Sequence, residues 1–192
     1  MTTRLFRRLT AALLLVLASL GISTPALAEV NVHFHSFNGS IFFGRYPHTF
    51  VIFEGTLEDG TVVNENYGFS ARNSAEAITQ GPARHMIMSE TAEQIAETNR
   101  HFTVAVPDAT YRRLRAEVIA WRDYPGEFYD LDENNCIHFV ARIAELVGLR
   151  SDVPSEYIRR PRAWLNYMTR QNPELGAEEI ALARPVPFAI AA

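Results

Sequence analysis

The residue with the clearest capacity for covalent chemistry is Cys136, the one cysteine among 192 residues. Apolar residues such as Ile137 and Val140 follow it at helical spacing, so the sequence predicts an amphipathic helix that begins at Cys136 and ends near Gly148. Asn135 stands directly before it and is a favoured N-cap. A thiol in the first helical turn faces unpaired backbone N–H groups and the positive end of the helix dipole, which favour a thiolate nucleophile. The alternative interpretation is a small buried side chain, which is what most free cysteines are.

A cysteine nucleophile needs an imidazole within hydrogen-bond reach and a polar group that orients that imidazole. The last of the six histidines, His138, lies two positions from Cys136 in the predicted helix and points to a different face. We expect a structural hydrogen-bonding role for His138, so the base must come from upstream. His48 is the strongest candidate, because it begins the otherwise apolar strand predicted over residues 48–55, where a polar ring is costly without a role. A surface histidine at the mouth of a strand is the alternative.

Two short stretches resemble a known family. Residues 135–140 (Asn-Cys-Ile-His-Phe-Val) resemble the Asn-Cys-Glu-His-Phe-Val signature of the lecithin–retinol acyltransferase-like family, which are circularly permuted members of the papain-like, NlpC-type superfamily of thiol enzymes. Residues 48–55 and 60–64 are similar, in the same order, to that family's histidine strand and returning strand. The resemblance implies an α+β, papain-like fold in which an antiparallel sheet packs on the nucleophile-bearing helix, with the histidine strand before the cysteine helix.

The resemblance also implies a set of site residues. It assigns Cys136 as nucleophile, His48 as base and Asn64 as the third polar residue, whose carbonyl oxygen accepts the imidazole N–H as in papain-type sites. The chain departs from the family pattern at Ile137, where the family has Glu, and at Asn64, where it has His. The hairpin loop is also longer. Because a longer loop changes the strand register, Asn66 remains an alternative to Asn64.

The implied activity is that of a cysteine-nucleophile hydrolase or acyltransferase, acting on an amide, a peptide or an acyl ester through an acyl-thioenzyme. A Cys136 thiolate would pair with an imidazolium at His48. The expected substrate is a small peptide, a cell-wall fragment or an acyl lipid, and neither a cofactor nor a metal is required. Tyr67 and Tyr129 are interpreted as core aromatics rather than as residues lining the cleft.

Two rival interpretations remain. One is a catalytically inactive binding module that retains the fold. The other is a metal site built from His33, His35 and a third ligand, because a His-x-His pair on a strand presents both rings on one face. No third ligand has recognisable spacing, and we expect His33 and His35 to lie on a solvated face of the first strand.

The N-terminus is typical of a secretory signal peptide. Three arginines at positions 4, 7 and 8 precede an apolar run over residues 9–22, and residues 24–28 (Thr-Pro-Ala-Leu-Ala) end in the small-x-small pattern of a cleavage site. We therefore divide the chain into a signal peptide (1–28), one domain (29–173), which the resemblance implies is a permuted papain-like domain, and a C-terminal tail (174–192). The mature protein is expected to be exported, either periplasmic or secreted, without a transmembrane anchor.

The charge balance disfavours polyanionic partners. Every basic residue is Arg, and removing the three signal-peptide arginines from the 18 basic residues leaves 15 against 22 acidic residues, or about −7. An acidic protein binds nucleic acid poorly by bulk charge. A lone cysteine also excludes an internal disulfide, so Cys136 is more easily explained as a functional thiol. The oligomeric state is not encoded in these patterns.

Overall fold

The computed structural model describes residues 29–37, 39 and 46–181. The predicted signal peptide and the last part of the predicted tail lie outside the described residues. Within them no helix has the length and apolar character that crossing a bilayer requires.

Five strands form a single antiparallel sheet. They are β1 (Val30–Phe37), β2 (His48–Thr56), β3 (Val62–Ala71), β4 (His85–Met88) and β5 (Asn99–Val106). Their order across the sheet is β4-β3-β2-β1-β5, and every neighbouring pair is antiparallel. Strand β2, which begins at His48 as predicted, therefore lies in the middle of the sheet.

Helices connect the later strands and cover the sheet. They are α1 (Ser74–Thr79), α2 (Ala92–Ala96), α3 (Asp108–Arg122), α4 (Cys136–Leu146) and α5 (Pro161–Gln171). Two short 3-10 turns, Ser155–Tyr157 and Pro173–Leu175, flank α5. The predicted α+β class and the helix that begins at Cys136 are both confirmed.

One hydrophobic core joins α4 to the middle of the sheet. The alternate residues Val51 and Phe53 of β2 are fully buried together with Ile137 and Val140 of α4. This matches the period of two along a strand and of 3.6 along a helix. Burying such side chains contributes roughly 2 kcal/mol each, so the packing fixes α4 on the face of β2 and β3.

The second face of β1 differs from the sequence expectation. His33 and His35 were expected to be solvated, but they are 8% and 7% exposed. His33 hydrogen-bonds through Nδ1 to Thr103 of β5, and His35 does so to Thr98, each at 2.8 Å. The expectation of solvation is wrong because β1 is an inner strand that is covered on both faces, which a period-two pattern alone does not reveal.

The segment over residues 83–99, which periodicity leaves unassigned, contributes β4 and α2. The described beginning of the tail packs along α5. There the Asn166 side chain donates to the carbonyl of Ile180 at 2.7 Å and accepts from its N–H at 3.0 Å.

Candidate active site

Asn135 caps the helix that carries the cysteine, as the sequence predicts. Its side-chain oxygen accepts hydrogen bonds from the N–H groups of Ile137 at 2.7 Å and His138 at 3.4 Å. Its amide donates to the carbonyls of Leu131 and Ile158, both at 2.7 Å. Asn135 thus joins the start of α4 to the loops on both sides of it, and this fixes the position of Cys136.

His138 completes the cap rather than reaching the thiol. Its Nδ1 accepts a hydrogen bond from the backbone N–H of Asn135 at 3.3 Å, so the two residues form a reciprocal capping box. These hydrogen bonds of His138 lie within the helix cap, where the expected structural role would place them.

The structure brings Cys136 to the beginning of strand β2. The backbone N–H groups of Thr49 and Ile137 lie near the Cys136 thiol and act to lower its pKa. Thr49 directly follows His48, and the side chains of His48 and Cys136 line one cavity of about 370 Å³. Both are buried, at 7% and 6% exposure. The two residues assigned as nucleophile and base, 88 positions apart in the sequence, thus line the same cavity.

The His48 ring lies against bare backbone. A Cβ added to Gly68 of β3 would stand 2.4 Å from His48 Nε2 and 3.3 Å from Cδ2. The Phe37 ring packs nearby, with ring centroids 5.8 Å apart. His48 Nε2 is buried, and no side chain or backbone group of the described residues hydrogen-bonds to it. The imidazole is therefore held by packing.

Neither asparagine suggested as the third residue lies beside His48. In the β2–β3 register, Asn66 pairs with Ile52 and Asn64 pairs with Glu54. These positions are four and six residues from His48, or roughly 13 and 20 Å along the strand. The expectation that Asn64 or Asn66 orients His48 is therefore wrong. This register places both asparagines nearer the β2–β3 turn than His48 is.

Asn66 has another partner. Its side chain accepts from the N–H of Glu90 at 2.6 Å and donates to the Glu90 carbonyl at 3.0 Å. Ser89 donates to the Asn66 carbonyl at 2.8 Å. Asn66 therefore fixes the backbone that places Glu90 in the cavity wall, whereas Asn64 is exposed to solvent.

Electrostatics favour a neutral thiol and a neutral imidazole. Burial raises the pKa of Cys136 to about 11, although the N–H groups of Thr49, Ile137 and Cys136 act in the opposite direction. Burial lowers the pKa of His48 to about 4. The expected thiolate–imidazolium pair is thus disfavoured, because burial removes both charged groups from water.

Tyr129 belongs to the hydrophobic core, as predicted from the sequence, and it also lines the cavity, which was not predicted. Its backbone pairs with Ala83, whose carbonyl and N–H bond to it at 3.0 and 2.8 Å. Burial raises the pKa of Tyr129, and the nearby Cys136 adds to this effect. The phenol consequently keeps its proton and remains a hydrogen-bond donor.

From the sequence we did not predict that two charged residues, Glu90 and Arg159, line the cavity. Glu90 is 7% exposed, and Arg159 donates two hydrogen bonds to Asp132 at 2.8 Å each. Neither lies in a recognisable motif, and Glu90 falls in the segment without clear periodicity. The rest of the wall is largely apolar and includes Phe37, Tyr46, Ile78, Met88, Leu131 and Ile158.

The rival metal site is not assembled around His33 and His35. Their rings are 6.4 Å apart and meet edge to face. Each Nδ1 is occupied by a threonine hydroxyl, and His33 Nε2 lies 3.4 Å from Glu54. Among residues 29–37, 39 and 46–181, no group of three or more His, Cys, Asp or Glu side chains is arranged to hold a metal ion.

The candidate site thus combines a buried cysteine at a helix N-terminus with a histidine at the start of a central strand, and both side chains line one cavity. Comparisons of the chain with protein-family models, with curated proteins and with solved structures gave no match.

Proposed function

We propose that this protein is a thiol enzyme that transfers or hydrolyses an acyl group through an acyl-thioenzyme, with Cys136 as nucleophile and His48 as base. The observation that carries this proposal is that the side chains of Cys136 and His48 line one cavity. The backbone N–H of Thr49, the residue next to His48, also acts to lower the pKa of the thiol. The family resemblance independently selects the same two residues.

In the proposed first step, the Cys136 sulfur attacks a carbonyl carbon and a carbon–sulfur bond forms. The thiol proton passes to His48, and the carbonyl π electrons move to the oxygen. Because His48 Nε2 lies against Gly68, we assign Nδ1 as the atom that receives the proton. A neutral imidazole suits this role, since a general base must be unprotonated before attack.

In the second step, the oxyanion collapses and the bond to the leaving group breaks. His48 returns the proton to the leaving group, and the acyl group remains on the sulfur as a thioester. Water or another acceptor then releases it, with His48 again taking the proton. The backbone N–H of Cys136 and the protonated Tyr129 are the donors proposed for the oxyanion.

The papain-like, circularly permuted arrangement is part of this proposal. Its support is the chain order, with the histidine strand β2 preceding the cysteine helix α4, and the packing of α4 on the antiparallel sheet. Export through the N-terminal signal peptide and a boundary near residue 173 remain proposals that depend on the sequence pattern.

The cavity favours an uncharged acyl group over an anionic peptide. Its wall is largely apolar, and the guanidinium of Arg159 in that wall is already bound to Asp132. Stem peptides of the cell wall carry several carboxylates, and an anion placed here would lose its hydration without gaining a cation. We therefore rank an apolar acyl ester or acyl amide above a cell-wall fragment.

The test is to incubate the mature protein with a phospholipid, with a short acyl ester and with peptidoglycan fragments, and to measure the intact mass. We expect an acyl adduct on Cys136 from the lipid or the ester. Cys136→Ser should remove the adduct, and His48→Gln should slow its formation by about 100-fold or more. An adduct that survives Cys136→Ser, or products from none of the three substrates, contradicts the proposal.

A catalytically inactive binding module is the second candidate, because the thiol and the imidazole are both neutral at rest and Nε2 is packed on backbone. Such a module would bind an acyl compound equally well before and after the Cys136→Ser substitution and would release no product. Binding measured by calorimetry with Cys136→Ser, beside turnover by the unaltered protein, separates the two functions.

A further inference from the structure

The contact between His48 and Gly68 is closer than any side chain at position 68 would permit. Real Cβ atoms do not approach a ring nitrogen to the 2.4 Å that an added Cβ would require here. The Gly68 position is an inner one, since β3 pairs with β2 on one side and with β4 on the other. A backbone shift that relieved the clash would have to disturb both ladders.

We propose that Gly68 is a positioning residue for His48 and that its bare backbone takes the place of the polar third residue found in papain-type sites. This inference rests on the proposed function. Gly68 supports the edge of the imidazole that carries Nε2, while Phe37 packs against the ring. The ring is thereby oriented by shape instead of by a hydrogen bond.

Two independent observations support this assignment. The first is the register, which places both Asn64 and Asn66 too far along β3 to reach His48. The second is that Nε2 is buried and receives no hydrogen bond from the described residues. A buried imidazole normally has such a partner. Here Nε2 has none among the described residues, so the ring is held by its packing against Gly68 and Phe37.

The arrangement has a chemical consequence for the base. During attack the proton arrives at Nδ1, and the resulting imidazolium would hold its Nε2 proton against Gly68 without an acceptor. The charged ring is therefore short-lived, and the proton passes on readily to the leaving group. Any side chain at position 68 would push the ring from Gly68 and change its distance from the Cys136 sulfur.

The test compares Gly68→Ala with Asn64→Ala, an exposed alteration on the same strand. We expect Gly68→Ala to lower kcat by about 100-fold, the usual cost of a displacement near 1 Å, with little change in KM. We also expect the His48 resonances to titrate at higher pH, because the displaced ring reaches solvent. Asn64→Ala should keep the unaltered kcat, KM and His48 titration.

If Gly68 has only a structural role, Gly68→Ala should have a lower melting temperature but an unchanged pH profile in the folded fraction and an unchanged His48 titration. That result overturns the proposal. A folded Gly68→Ala protein with normal kcat does so as well. If Gly68→Ala does not fold, the NMR titration of His48 in the unaltered protein is the test. Titration near pH 4 supports a ring packed against Gly68. Titration at about 6.5 or above, the ordinary range of histidine, refutes it. A shifted His48 titration in a protein that turns over no acyl substrate would retain the positioning role and reject the enzymatic one.

Discussion

His48 and Cys136 line one cavity at the beginning of β2, where the backbone N–H of Thr49 acts to lower the pKa of the Cys136 thiol. Thr49 is itself fully buried, and its hydroxyl donates to the His35 carbonyl of β1 at 2.8 Å. Two strands and the start of α4 therefore meet at the nucleophile. Burial raises the pKa of the thiol and nearby backbone N–H groups lower it, so its charge state depends on burial and on the backbone rather than on a cationic neighbour.

The first prediction concerns the reactivity of this thiol. Because burial raises the pKa of Cys136 to about 11, the thiolate fraction at neutral pH is small. We expect alkylation by iodoacetamide, followed by intact mass, to be slow at about pH 6 to 7 and to accelerate steadily as the pH rises above about 8.5, the pKa of an ordinary thiol.

The control is the same protein unfolded in denaturant, which should react faster at about pH 8 because its thiol has an ordinary pKa. Cys136 is the one cysteine of the chain, so no other thiol contributes to the mass change. Rapid labelling of the folded protein at about pH 5 to 6 would instead reveal a thiolate–imidazolium pair and contradict the neutral resting state.

The second prediction separates the two asparagines of β3. Asn66→Ala removes both hydrogen bonds to the backbone of Glu90, and we expect it to lower the free energy of unfolding by about 1–3 kcal/mol. Asn64→Ala alters an exposed side chain and should change it by less than about 0.5 kcal/mol. Urea unfolding of both variants provides the measurement, and equal effects would contradict the assigned contacts.

Two elements of the site were predictable from the sequence, and the surroundings of His48 were not. The start of α4 was predictable, because Asn135 supplies a cap and the apolar residues after it follow a helical period. The strand beginning at His48 was predictable from its continuous apolar run. The residues around His48 were not predictable, because the β2–β3 register depends on where the hairpin turns. A shift of one residue in that register changes which residue of β3 lies opposite each residue of β2.

The burial of polar residues was equally hard to foresee. The environment of His33 and His35 depends on Thr103 and Thr98, which β5 and the turn before it bring beside β1 from a distant part of the chain. The contribution of Glu90 to the cavity arises from its backbone contacts with Asn66, and the two residues are too far apart in sequence to leave a local pattern. Local signals thus identified the two chemical groups, whereas their surroundings required tertiary structure.

The third prediction concerns stability in acid. Burial lowers the pKa of His35, His48 and His101 to about 4, whereas histidine in an unfolded chain titrates near 6.5. Between these values the unfolded chain binds protons that the folded protein does not. The free energy of unfolding is therefore fully present above about pH 6.5 and should fall as the pH drops towards 4, by at most about 1.4 kcal/mol per pH unit for each histidine.

Urea unfolding at intervals between about pH 5 and 7.5 measures this slope in a range where most carboxylates stay ionised. His101→Gln removes one of the three groups while keeping a polar side chain opposite Ser36, the present partner of His101 at 2.8 Å. This variant should reduce the pH dependence of the free energy of unfolding by the contribution of one histidine, which is at most about 1.4 kcal/mol per pH unit. A free energy of unfolding that stays constant from about pH 7 to 5 would show that these rings are not buried as described.

The last prediction tests whether Asn135 holds the nucleophile in place. Asn135→Ala removes the helix cap and leaves the carbonyls of Leu131 and Ile158 without their donor. We expect a loss of about 2–4 kcal/mol in the free energy of unfolding. Asn135→Ser restores an oxygen for the cap but neither donated hydrogen bond, so it should recover about 1 kcal/mol of that loss.

Cys136 should also be alkylated faster in both variants than in the unaltered protein at about pH 7, because a loosened first turn admits water to the thiol and returns its pKa towards the ordinary value. If Asn135→Ala proved as stable as the unaltered protein, or if it loosened the fold without changing the alkylation rate, the coupling between the cap and the nucleophile would be refuted.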